Sequence, residues 1–407
     1  MLRDGPGAGP GAKSGTASGA RDGARVESGV GAMGDVRAVP DPWAAPGAAA
    51  MPDPGTVPGA GAIPDARAVP GARLAVPRPL RRVLTVGGCE TAVFDYGRPQ
   101  DPVVLAIHGF RGTHSGLAPL SHALVARGYR VLAPDLPGSG SSAALSSRHD
   151  TPGYAAWLTE LTELTARLAH PPLLLGHSFG SVLAAAAIAD GAPARGTVLI
   201  NPILTPPLAG PKRAATAIAC AYYALARRLP DVLGRGLLGS RTIAEIGGAF
   251  MTSSSDPGLR RWIRLEHRRQ ASAFATREAV FEAFAASTST TVADYAHGIS
   301  CPALVVGADR DPLSTPAACS AEHSGITSGT FHVLAGLGHL LPYEAPAEAA
   351  DLVAEWDHAT AEERAASGQR SAPGERARSE ERARSEERTP AEELRVFGER
   401  RVFGERA

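Results

Sequence analysis

Leu173-Leu174-Leu175-Gly176-His177-Ser178-Phe179-Gly180-Ser181-Val182-Leu183 is the stretch on which the reading of this chain turns. Pro172 bounds a short apolar run, Gly-x-Ser-x-Gly follows at once, and an alanine-rich helical pattern continues from Val182 to Ala189. The spacing predicts a strand, a one-residue sharp turn and a helix, with Ser178 strained at the apex. Gly176 and Gly180 belong there because strand and helix backbones would approach too closely for a Cβ. Such a turn lifts the Ser178 hydroxyl to the C-terminal end of the strand. It also aims the first amides of the helix at any negative charge developing beside that hydroxyl.

Outward from this turn the pattern alternates. On the N-terminal side lie two strand-like runs, Arg82–Val86 and Thr91–Tyr96, joined through Gly87-Gly88. Pro102–Ile107 is a continuous β-branched run of the kind buried on both faces of a parallel sheet. It ends in His108-Gly109-Phe110-Arg111-Gly112, and a helical pattern, Leu117–Arg127, leads to the strand Tyr129–Ala133. Tyr154–Leu168 places Trp157, Leu158, Leu161, Leu164 and Leu168 on one helical face. Beyond the turn, Thr197–Ile200, Pro302–Val306 and Thr330–Leu334 complete a doubly wound, mostly parallel α/β sheet. The last helix runs Pro346–His358. The alternation is interrupted at 203–297, where only helical patterns occur: Arg213–Leu229, Thr242–Phe250 and Leu259–Ala286. This segment reads as an inserted all-helical cap. Its aromatic residues are expected mostly to form core between helices, with some lining an apolar pocket.

The expected organisation is therefore 79–202 and 298–358 as the two parts of the core, with the cap at 203–297 between them. Residues 1–78 are glycine, alanine and proline with too little apolar surface to offset ordering entropy, and are expected to be disordered. Met33 or Met51 could serve as the start. Residues 359–407 read as a low-complexity tail in which Glu375–Glu380 recurs as 381–386 and Arg395–Arg400 as 401–406. With 41 basic and 41 acidic residues and 5% aromatics, nothing suggests a nucleic-acid surface. The four cysteines are dispersed, so neither a zinc site nor a disulfide framework is indicated. No secretory signal or ~20-residue apolar span is evident, and a cytoplasmic protein is expected.

A serine hydroxyl is a poor nucleophile at neutral pH unless a base takes its proton. His339, in a glycine-flanked loop after the last strand, is the candidate base. His177 should point elsewhere, His108 should hold its own loop, and His332 lies inside a strand. The orienting acid must come from Gly307–Leu313, which offers Asp311 and Asp309, with Arg310 between them placed to keep either ionised. Asp311 precedes Pro-Leu and is favoured; Asp309 remains the runner-up, able instead to cap the turn. The backbone amides of Phe110 and Phe179 are the candidate oxyanion donors, each worth about 100- to 1,000-fold in rate.

Together, His108-Gly109-Phe110, Asp135-Leu136-Pro137-Gly138-Ser139-Gly140-Ser141, Gly176–Gly180, Asp311-Pro312-Leu313 and Gly338-His339 resemble the α/β-hydrolase superfamily, capped serine branch. They occur in its Ser…Asp…His order. The resemblance covers about two-thirds of the chain, Leu80 to His358. It implies a cap inserted after the sixth strand, structural roles for Asp135 in a turn and Glu344 at the start of the last helix, and no metal or organic cofactor. The Gly307–Asp311 loop is a residue longer than the commonest form, which keeps both acids in play. The expected activity is hydrolysis of small to medium uncharged esters, thioesters or lactones through an acyl-enzyme, with water as co-substrate. Same-fold alternatives are C–C bond hydrolysis and cofactor-free peroxidation. An alternative of another class is a ligand-binding protein that keeps the triad as a vestige.

Overall fold

Leu173–His177 forms a strand because its leucines are buried on both faces of the sheet, and neighbouring strands supply the matching apolar runs. The computed structural model describes residues 78–206, 213–314, 316–319, 325–326 and 329–370. The expected disordered segment up to residue 77 and the repeats at 371–407 lie outside the described residues. The strands are β1 (Leu80–Val86), β2 (Cys89–Tyr96), β3 (Val103–Ile107), β4 (Arg130–Pro134), β5 (Leu173–His177), β6 (Gly196–Ile200), β7 (Ala303–Ala308) and β8 (Gly329–Leu334). They form a sheet of order β1-β2-β4-β3-β5-β6-β7-β8. The β1–β2 and β2–β4 pairs are antiparallel and the rest parallel. The order reverses between β3 and β5, which pair with Leu105 beside Leu174 and Ile107 beside Gly176. In sheets of this type the crevice at such a reversal, at the strands' C-terminal ends, is where ligands bind.

Helices cover both faces. On one side α1 (Ala118–Val125) and the long C-terminal helix pack Leu120, Leu124, Ala349 and Val353 onto Val104, Leu173, Val198 and Leu304. Each fully buried leucine or valine among them contributes about 1.5–3 kcal/mol. Then α2 (Thr151–Ala166), N-capped by Asp150, lies against α3 (Phe179–Ala189). The alanines 184–187 of α3 are all buried, and their small side chains let it lie close to the sheet.

Between β6 and β7, where the cap is expected, the described residues form α4 (Arg213–Arg228), α5 (Asp231–Leu238), α6 (Arg241–Met251), α7 (Pro257–Gln270) and α8 (Arg277–Ser289). Two sequence expectations need correction here. Residues 231–238, with Gly234 and Gly236, were not expected to be helical, yet they form α5. Its start is set by Pro230, and Gly234 sits where a Cβ would meet the Arg277 guanidinium. The run expected as one helix over 259–286 is two, because the backbone between them bonds to the core. Gly140 N–H donates to the Ala273 carbonyl (3.0 Å) and Ala275 N–H to the Gly138 carbonyl (3.0 Å), and Thr276 then N-caps α8.

After the short turn α9 (Leu341–Glu344), the last helix α10 spans Pro346–Arg370, twelve residues beyond the expected end at His358. Residues 359–367 contain only alanine, glutamate, arginine, threonine and serine, mostly strong helix formers with no glycine or proline to stop them. Thr360 also hydrogen-bonds back to the Trp356 carbonyl.

Candidate active site

Ser178 occupies φ +56°, ψ −123°, a conformation that a non-glycine residue holds only where its surroundings enforce it. The enforcement is steric and local. A Cβ on Gly176 would fall on the Gly180 carbonyl, and one on Gly180 would fall on the Ile107 carbonyl. The turn can therefore be this tight only with glycine at both places.

His339 Nε2 lies 2.7 Å from Ser178 Oγ, and His339 Nδ1 lies 2.8 Å from Asp311 Oδ2. Asp311 and His339 are both buried. Of the two expected acids it is Asp311 that meets the imidazole. Asp309 is exposed, and its Oδ1 accepts from Gly336 N–H (2.6 Å), closing the turn after β8. Burial alone would raise the Asp311 pKa. The neighbouring His339, with hydrogen bonds from His339, the Leu313 amide and Asn201 Nδ2, outweighs burial and holds the carboxyl below its ordinary range. The expectation that Arg310 keeps the acid ionised needs correction. Arg310 is exposed and makes no ion pair among the described residues, and the donors around Asp311 do that work instead.

Phe179 is the first residue of α3, so its amide belongs to the turn whose N–H groups have no carbonyl partner within the helix. The loop carrying Phe110 runs alongside Ser178, where a Cβ on Gly109 would lie 2.9 Å from that of Ser178. His108 holds this loop: Nδ1–H donates to the Gly109 carbonyl (2.8 Å) and Nε2 accepts from Leu136 N–H (2.9 Å), which assigns its tautomer. Asp135, expected to be structural, accepts from the His114 and Ser141 amides (2.8 Å each).

Several contacts have no counterpart in any sequence pattern. His177 Nε2–H donates to the His339 carbonyl (2.9 Å), so the residue beside the serine fixes the loop that carries the candidate base. Asn201, at φ +44° after β6, donates to Asp311 Oδ2 (2.8 Å). Its one legible signal is an asparagine, a residue tolerant of positive φ, at the C-terminal end of a parallel strand. Glu344 does more than the resemblance implied: its carboxylate accepts from Gly338 N–H (3.0 Å) and from Ser253 N–H of the cap (2.9 Å). His339 N–H donates to Met251 O, also in the cap (3.0 Å). Arg111, at φ +62°, donates to the carbonyls of Leu238 and Ala271, at the ends of α5 and α7 (2.6 Å each), and sits over the Phe274 ring. The cap is thus joined both to the His339 loop and to the Phe110 loop.

A cavity of about 20 Å³ is bounded by Phe110, Phe179, Tyr154, Gln270, Phe274 and Val280. That is little more than the ~10–15 Å³ one water needs. Tyr223 and Phe284 stack on each other (centroids 4.0 Å apart) and extend this wall behind Phe110. Of the other cap aromatics, Trp262 packs on Tyr343, whereas Phe250 is 42% exposed.

Burial, with the nearby His339 adding to it, pushes the His177 pKa down to about 3. The folded protein thus binds this proton less readily than the unfolded chain, for which about 6.5 applies. His177 therefore contributes stability above pH 6.5 that is lost as pH falls from 6.5 toward 3. At pH 5 the loss attributable to it is about 2 kcal/mol. Thermal melts should show Tm falling from pH 6.5 to 5, less steeply in His177→Gln, whose amide can still donate to the His339 carbonyl. Parallel acid limbs in the two proteins would count against this account.

The model of the alpha/beta hydrolase family matches residues 103–352, more than half of the chain. Among solved structures, an esterase of Thermogutta terrifontis superposes with a TM-score of 0.54 at 24% identity, over 69% of this chain and 98% of that one. An esterase from Exiguobacterium antarcticum gives 0.54 at 16% (67% and 98%). Epoxide hydrolase A from Mycobacterium thermoresistibile gives 0.51 at 20% (68% and 97%). These likenesses speak to fold. A stretch of 100 residues, 24% of this chain, is 34% identical to the magnesium-chelatase 30 kDa subunit of Rhodobacter capsulatus and spans 34% of that protein's length. With the sheet, the strained serine turn and the family match in agreement, the chain belongs to the alpha/beta hydrolase family.

Proposed function

We propose that the protein is a serine hydrolase of small to medium uncharged carboxylic esters, acting through an acyl-enzyme. The observation that carries this reading is the chain of contacts Ser178 Oγ to His339 Nε2 (2.7 Å) and His339 Nδ1 to Asp311 Oδ2 (2.8 Å). In the proposed cycle His339 takes the hydroxyl proton as Ser178 attacks the carbonyl. The Phe110 and Phe179 amides receive the developing oxyanion. His339 returns the proton to the departing alcohol, and water repeats the sequence on the acyl-enzyme. Asp311 holds the imidazole in the tautomer with a proton on Nδ1, leaving Nε2 free to act as base. The rings of Phe110, Tyr154, Phe179 and Phe274 in the cavity wall, where Arg111 also lies, support an apolar acyl group. A serine at the turn, in place of an aspartate, supports ester chemistry over epoxide opening.

Fluorophosphonate labelling beside hydrolysis of short p-nitrophenyl esters tests the proposal. A folded protein that neither labels nor turns over would overturn it and bring forward the ligand-binding alternative.

Arg111 follows the Phe110 amide directly and ties its loop to two cap helices, so its loss should misplace an oxyanion donor. Arg111→Met is expected to lower kcat by about 10- to 100-fold, the penalty typical of small displacements in a reacting site. KM for a short ester should change far less. A change confined to KM would mean that Arg111 serves the cap alone.

A further inference from the structure

Exposed large apolar side chains are not spread evenly over the described residues. Eight of the eleven are on the cap, including Val232 (80% exposed), Ile218 (71%), Ile246 (65%) and Leu233 (60%). They lie on four of its helices, α4 to α7. The outer stripe of α4 is Ala214, Ala217, Ile218, Ala221 and Leu225, at the i, i+3, i+4, i+7 spacing of one helical face, and α4 contains no acidic residue. Ile243 and Ile246 share the exposed side of α6, and Val232 and Leu233 lie in the first turn of α5.

Charge is segregated onto the same helices. The whole chain is neutral, yet residues 213–270 carry ten arginines against four acids. Arg227, Arg228, Arg241, Arg260 and Arg261 are exposed and form no ion pair among the described residues.

From this pairing of bare apolar tips with unneutralised arginines we infer that the cap docks on an anionic phospholipid bilayer. Aliphatic side chains would enter the headgroup boundary while arginines meet lipid phosphates, the composition of a protein that lies on a membrane without spanning it. No helix among the described residues is long and apolar enough to span one. Other occupants lack the complementary charge. Residues 1–77 carry seven basic and seven acidic residues, and 371–407 carry nine of each. A second copy would bring the same positive excess face to face, which is repulsive.

The test is co-sedimentation of the full chain with vesicles of phosphatidylcholine alone or with about 30% phosphatidylglycerol, at about 50 mM and about 500 mM salt. Partitioning onto the anionic vesicles at low salt should exceed that onto neutral ones at least about 10-fold, and fall in high salt. Arg227→Gln with Arg228→Gln should cost about 5-fold for each charge removed. The triple variant Ile218→Glu, Val232→Glu, Ile246→Glu should lose more than about 10-fold. These exposed positions leave folding unaffected, which unchanged melting confirms, and binding is read without turnover, so the result is separate from the hydrolase proposal. Equal partitioning onto both vesicle types, or none at low salt, would overturn the inference. So would a dimer in light scattering that the triple variant dissociates.

Discussion

Ser178→Ala is expected to lower kcat for a short p-nitrophenyl ester by on the order of 10⁴- to 10⁶-fold and to abolish fluorophosphonate labelling. The substitution removes one oxygen and adds no bulk to a half-buried position, so the fold should survive. Alanine must still adopt φ +56°. That strain is already enforced by the two glycine contacts and is common to both proteins, so melting should barely move. KM should also stay close to wild type, because in the proposed mechanism Ser178 acts on the reacting carbonyl and not on ground-state affinity. The residual rate would report what the Phe110 and Phe179 amides and binding supply by themselves. A variant that loses labelling but keeps turnover would place the nucleophile elsewhere. One that keeps both would mean that the labelled nucleophile is another residue.

The parts of this molecule legible in the chain are those made by neighbours in sequence. Val103–Ile107 and Leu173–His177 announce buried parallel strands by their apolar runs. The Ser178 turn announces itself by its glycines, since the contacts that exclude a Cβ lie within one strand–helix unit and the adjoining β3. His339 and Asp311 follow from the same logic, at the ends of successive strands on one edge of the sheet. What could not be read depends on partners far away in the chain. The helix break at 271–276 exists because residues 138–140 take its backbone groups, and α5 survives its glycines because tertiary packing overrides propensity. Arg111 reaches carbonyls 127 and 160 residues distant, and Glu344 reaches 91 residues back into the cap. His177 looked like a bystander because nothing local shows that its ring would end on the carbonyl of the catalytic candidate 162 residues on.

Asp311→Asn should cost about 10⁴-fold in kcat, against a change of no more than a few-fold for Asp309→Asn. The asymmetry follows from the donors each carboxylate receives. Asp311 is met by four: His339 Nδ1, Asn201 Nδ2 and the amides of Leu313 and Ser314. An asparagine there has one oxygen to serve them. If it turns that oxygen to the Leu313 and Ser314 amides, its own N–H group faces His339 and Asn201. The imidazole can then keep a hydrogen bond only by moving its proton from Nδ1 to Nε2. That is the wrong tautomer, since Nε2 would then donate toward Ser178 in place of accepting from it. If it turns the other way, N–H meets N–H at the loop amides, and the 311–314 turn that supports the base is disrupted. Asp309 has no such burden. It is exposed and accepts one amide, from Gly336, which an asparagine oxygen can accept equally well. Steady-state rates and fluorophosphonate labelling of the two variants, each checked by its melting temperature, separate the cases. A large loss in Asp309→Asn with Asp311→Asn nearly intact would require the loop after β7 to rearrange before the base is formed, and the arrangement described for His339 would then be a resting one.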